Sequence, residues 1–164
     1  MARGWWSARI RRTWVYFHAN ATPDERGDLA GWLTPTQMAL FDGMSAPDRR
    51  HGLDVVAELR SAGGTEPDLL VAGLLHDCGK GRRVRLVHRI AWSLGGRYGA
   101  WIWRASSHLP TFRAGLAALR DHARRSAELA SGAGCTARTV ELILNQEAPT
   151  DEAGRLLLAA DEAN

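Results

Sequence analysis

Strand signals are nearly absent from this chain of 164 residues, and Ala, Leu, Arg and Glu dominate it. An all-α fold is therefore expected. Cysteine is scarce. Cys78 and Cys135 form no CxxC pair, and two thiols make no disulfide framework, which points to a reducing cytoplasm. No uninterrupted apolar run reaches transmembrane length. Arg11-Arg12 precede Trp14-Val-Tyr-Phe17, an apolar piece too short for a signal-peptide core, and no small-residue cleavage site follows it at the right distance. Secretion is therefore not expected. Excess charge is also small. A net +3 suits an anionic small molecule and is too weak to argue for nucleic acid.

What is present fits one domain with a real core. Hydrophobic residues make up 45% and charged residues 24%, ordinary values for a globular protein. The seven tryptophans cluster in two places. Residues 4–20 mix Trp and Arg and read as a helix with an aromatic face, packed on the domain in preference to resting on a membrane. Residues 22–31 read as a loop, so 1–34 form an N-terminal arm and loop and 35–164 the main domain.

Helix starts recur along that domain. Thr34-Pro35-Thr36-Gln37 is a capping box with proline at the first helical position. Ser45-Ala-Pro-Asp48 repeats the pattern, and its helix runs to about Ala62 before Gly63-Gly64. Thr65-Glu-Pro-Asp68 opens a third helix, apolar almost all round from Leu69 to Leu75. That helix is expected to end at Asp77 to Gly79, with the glycine as its stop. Residues 82–89 are basic, and two short helices with Trp92, Trp101 and Trp103 follow, read as a cover over the site or as a membrane-surface contact. Residues 112–131 are helical with a break near Asp121. Thr136 caps a helix through Glu147, and the last helix runs from about Asp151 to Asp161.

The chemistry gathers at Leu74-Leu-His-Asp-Cys-Gly-Lys80. An apolar run delivers two metal-capable side chains to a helix end, and a basic residue follows. His51 lies at the start of the preceding helix. If the two helices pack antiparallel, His51 and His76-Asp77 meet at one end of the pair. Asp161 closes a further buried helix, after the apolar Leu156–Ala160 stretch.

His51, then His76-Asp77, then the distant Asp161, all on helices, resemble the signature of the HD-domain superfamily of metal-dependent phosphohydrolases. The resemblance covers roughly residues 35–163. It implies a single helical bundle with His51, His76, Asp77 and Asp161 around one divalent cation, Mn²⁺, Fe²⁺, Co²⁺, Ni²⁺ or Mg²⁺, and a small phosphorylated substrate, such as a nucleotide. Two imidazoles and two carboxylates suit such ions better than structural zinc. A cation there lowers the pKa of a water and polarises a phosphoryl oxygen. Asp77 is expected to hold or deprotonate the attacking water, and Lys80 to neutralise charge on phosphate oxygens. Arg49, Arg50, Arg82 and Arg83 flank the motif and could do likewise.

His122 stands in a segment resembling the one where two-metal relatives place an additional ligand. Where a further histidine is expected, this chain has Asn145-Gln146, neither a strong transition-metal ligand. One metal is therefore expected, with His122 as an outer ligand, a phosphate contact or a proton donor to the leaving group. Asp54 reads as solvated or an outer support, although it is one turn from His51 and could orient it. Cys78 reads as a small packing group, Glu147 as solvated or an outer support, and histidines 18, 88 and 108 as structural or exposed. The HD-GYP signature of cyclic-dinucleotide phosphodiesterases is missing. The competing reading is a metal- or nucleotide-binding regulatory module that has lost turnover.

Overall fold

The computed structural model describes residues 21–81, 99, 101, 103 and 110–164. They are helical, with no strand among them. Eight α-helices follow in order: α1 (Pro23–Leu29), α2 (Pro35–Gly43), α3 (Ala46–Ser61), α4 (Pro67–Leu75), α5 (Pro110–Arg120), α6 (His122–Gly132), α7 (Ala137–Leu144) and α8 (Glu152–Ala163). A single 3₁₀ turn, Cys78–Lys80, follows α4. The helices expected at 4–20 and 90–94, and the basic segment 82–89, lie outside the described residues, as does most of 98–103. No helix among the described residues is long and apolar enough to cross a membrane.

Capping chemistry sets the helix starts. Thr34 and Gln37 form the expected capping box, and Ser45, Thr136 and Asp151 cap α3, α7 and α8 through their side-chain oxygens. The loop expected at 22–31 is instead largely helix α1. Thr22-Pro-Asp-Glu25 carries the same grammar as Thr34, with a reciprocal capping box and proline in the first turn. Leu29 and Leu33 join the common core, and Glu25 pairs with Arg50 at 2.7 Å. The break at Asp121 stands where expected, and α7 ends at Leu144, three residues short of Glu147.

Helix α4 is the centre of the bundle. All seven residues from Leu69 to Leu75 are buried. Burying each of its leucines contributes roughly 1.5–3 kcal/mol relative to leaving it in water. Helix α3 runs antiparallel to it: Gly52, early in α3, lies against Leu74, while Gly73 lies against Val55 and Leu59. A β-carbon on Gly52 would stand 2.5 Å from the Leu74 carbonyl oxygen, so only glycine allows the two backbones this approach. Helix α8 packs on α3 and α4, α7 packs on α4 and α6, and α6 packs on the 3₁₀ turn.

Candidate metal centre

The close approach at Gly52 fixes His51, its neighbour, over the C-terminal end of α4, where His76 follows Leu75. Their rings meet edge-on, with centroids 5.2 Å apart and planes at 64°. Asp161, near the end of α8, reaches both. Its Oδ1 stands 2.7 Å from His51 Nε2 and 3.3 Å from His76 Nε2. These three side chains form a group whose donor atoms all lie within 4.8 Å of one another.

Tautomers are set by the helix ends. His76 Nδ1 lies 2.9 Å from the Gly73 carbonyl, which can only accept, so Nδ1 carries a proton and Nε2 faces the group. His122, at the start of α6, repeats the device: its Nδ1 donates to the Leu119 carbonyl at 2.6 Å. Its Nε2 then lies 3.7 Å from Asp77 Oδ1. The side chain of His122 is only 12% exposed, which excludes an ordinary surface histidine.

Asp77 sits beside the three-residue group and touches its edge. Oδ1 is 3.5 Å from His76 Nε2, and Oδ2 is 4.0 Å from His51 Nε2. Oδ2 is also ion-paired with Lys80 of the 3₁₀ turn. Asp77 is 1% exposed. Burial alone would raise its pKa, yet the charges of His76, Lys80 and His51 hold the carboxyl far below the usual carboxylate range. Asp161 is likewise drawn far down against burial by the two imidazoles. For His76 burial opposes protonation, but the Asp77 and Asp161 carboxylates outweigh it and raise the pKa above the ordinary value.

His51, His76 and Asp161 could hold a metal ion. His76 Nε2 and Asp77 Oδ1 are buried without a hydrogen-bond partner among the described residues. A buried unsatisfied group costs about 1–3 kcal/mol, and more when charged. Ligands about 2.1 Å from a common cation stand about 3 Å apart at right angles, and the 2.7 and 3.3 Å separations bracket that value.

The 3₁₀ turn is held by α6. Gly79 N donates to Ser126 Oγ at 2.8 Å, and a β-carbon on Gly79 would stand 2.5 Å from Ser126 N and 2.6 Å from the His122 carbonyl. Gly79 thus serves close packing, while α4 has already ended at Leu75 and the positive φ of 64° falls on Gly81. Ser126 was not readable as a site support, since a serine one turn beyond His122 carries no signal of its own.

Other expectations divide. Asp54 pairs with Arg50 at 2.8 Å and does not orient His51. Arg50 is further engaged by Glu25, and Arg49 donates to the carbonyls of Asp42 and Met44, so both arginines hold the fold. Arg82, Arg83 and histidines 18, 88 and 108 lie outside the described residues. Glu147 is exposed, with Oε1 4.0 Å from His122 Nδ1. Cys78 is buried, with its thiol directed at the Ser126 carbonyl, as a packing group should be. Gln146 is buried, its Nε2 directed at the His76 carbonyl at a long 3.5 Å and its Oε1 without a partner among the described residues.

Comparison with protein-family models, curated proteins and solved structures finds no match. The class defined by fold and site is thus an all-helical bundle with a buried His-His-Asp group able to hold a metal ion.

Proposed function

We propose that this protein is an HD-type metal-dependent phosphohydrolase that cleaves a phosphate ester of a nucleotide or another small phosphorylated molecule. The observation that carries the reading is Asp161. It comes from the last helix to meet His51 and His76 with its oxygen 2.7 and 3.3 Å from their Nε2 atoms. His51, His76 and Asp161 would hold one divalent cation, with Asp77 as a fourth ligand. Such a cation supplies Lewis-acid polarisation of a phosphoryl oxygen and acidifies a water.

The chain's own residues would do the rest. Asp77 is kept ionised and can accept a hydrogen bond from the attacking water. His122 presents Nε2 toward Asp77 with Nδ1 tied down, an orientation suited to proton exchange at the leaving oxygen. Lys80 brings positive charge to the same edge.

Elemental analysis of the purified protein, followed by a metal-dependent screen on phosphate monoesters, tests the reading. One metal per chain and hydrolysis lost in His76→Ala are expected. A second reading, a metal- or nucleotide-binding module without turnover, draws on Gln146, a carboxamide beside the centre where a stronger ligand would favour a second metal. Bound metal with no ester hydrolysed by the parent protein would favour that module.

A further inference from the structure

Lys80 is the only lysine in the sequence; the rest of the 21 Lys and Arg residues are arginines. It is also the residue whose ammonium pairs with Asp77, and its side chain is only 16% exposed. Asp77 is divided between two demands. Oδ1 faces His76 and His122 without a hydrogen-bond partner among the described residues, and Oδ2 holds Lys80. Without a metal, the Lys80 ammonium is, with the His76 and His51 imidazoles, what makes a buried carboxylate tolerable.

We infer that Lys80 is a resident counter-cation that couples metal loading to anion binding. The inference rests on the metal-centre reading above and concerns how that centre is switched on. A divalent cation and the Lys80 ammonium compete for one carboxylate. When the metal takes Asp77, Lys80 loses its counter-charge at the mouth of a centre that has become more positive. Its ammonium is then available to a phosphate oxygen. Without the metal, Lys80 is neutralised by Asp77 and the site holds two carboxylates, a poor place for an anion. Metal and phosphate therefore tighten one another's binding, and the coupling is reciprocal.

The residue type matters to this device. An arginine would clamp the carboxylate through a bidentate fork, whereas lysine is a compact point charge on a flexible stem that can leave it. In a chain otherwise built with arginine, lysine stands at the position where release is needed.

The test uses Mn²⁺ and inorganic phosphate on the full chain. With one lysine, acetylation followed by peptide mass spectrometry reads Lys80 directly, with the N-terminal amine as reference. Mn²⁺ is expected to accelerate Lys80 acetylation, and phosphate added with Mn²⁺ to slow it again. In titrations, Lys80→Gln is expected to bind Mn²⁺ more tightly than the parent, by roughly 5- to 150-fold, the usual range of such couplings. Lys80→Gln should also gain less from phosphate, and Lys80→Arg should bind Mn²⁺ more weakly than the parent. The labelling arm needs no variant, so a misfolded variant does not rescue the inference. If the parent binds Mn²⁺ but Lys80 labelling is unchanged and Lys80→Gln binds it no more tightly, the inference is wrong while the metal centre stands. If the parent binds no divalent metal, the metal centre and this inference fall together.

Discussion

Asp161 Oδ1 lies 2.7 Å from His51 Nε2 across 110 residues of chain. That contact closes the centre, since α3 and α4 alone bring only the two imidazoles and Asp77. His51→Ala and Asp161→Ala should each lower metal affinity by more than the roughly 10–100-fold that loss of an outer support costs. Asp161→Asn keeps the shape and loses the charge, and should also bind poorly. Isothermal titration with Mn²⁺ measures all three. Near-parental affinity in Asp161→Ala would remove Asp161 from the site.

Backbone proximity is the second exposure of this design. Gly52→Ala forces a methyl into the Leu74 carbonyl, at 2.5 Å before relaxation. Overpacking of this kind costs about 1–3 kcal/mol. A lower urea midpoint is expected, with weaker metal binding because His51 moves with α3. Gly79→Ala should separate the 3₁₀ turn from α6, and its signature is a loss of metal-dependent activity greater than its loss of stability.

Metal-free protein should respond to pH from both sides. Asp77 and Asp161 have folded pKa values depressed by the imidazoles and Lys80. Their stabilisation is present above the unfolded value of about 4 and is lost as pH falls through the folded values. His76 has a raised folded pKa. Its stabilisation is present below about 6.5 and is lost as pH rises through the folded value. Urea midpoints in chelator should therefore decline as pH rises above about 6.5. Mn²⁺ at a hundred times its Kd should restore about 2.7 kcal/mol. An alkaline decline of the same size in His76→Leu would count against this assignment.

The two thiols should react in order. Burial pushes the Cys78 thiol up to about 12, so almost none is thiolate near neutrality. Cys135 is also raised by burial but is partly exposed. With iodoacetamide at mild alkaline pH, Cys135 should be alkylated first and Cys78 only on unfolding. Early labelling of Cys78 would show that the turn beside Asp77 opens.

The core and the three-residue group were legible because they follow periodic and capping rules. The all-round apolar run of Leu69–Leu75 announces a central helix, and an acid after Leu156–Ala160 announces a second buried helix end. What escaped depended on through-space relations. Asp54 looks one turn from His51 in sequence, but Arg50, one turn away on the same helix, takes its carboxylate. Gly79 reads as a stop, yet its role is the contact with Ser126 on a distant helix. Thr22-Pro-Asp-Glu25 was readable by the rule already applied at Thr34, and the loop expectation there overlooked it.

With every residue from Leu69 to Leu75 buried, the packed core holds the α4 end of the seat, while Asp161 closes it from a half-exposed position. Ionic radius then becomes a selection rule. Ca²⁺ prefers six to eight oxygens at about 2.3–2.6 Å, whereas ions of the Mg²⁺ class sit at about 2.0–2.1 Å. A large excess of Ca²⁺ should leave bound Mn²⁺ in place, and the discrimination would have been set by leucines that never touch the ion.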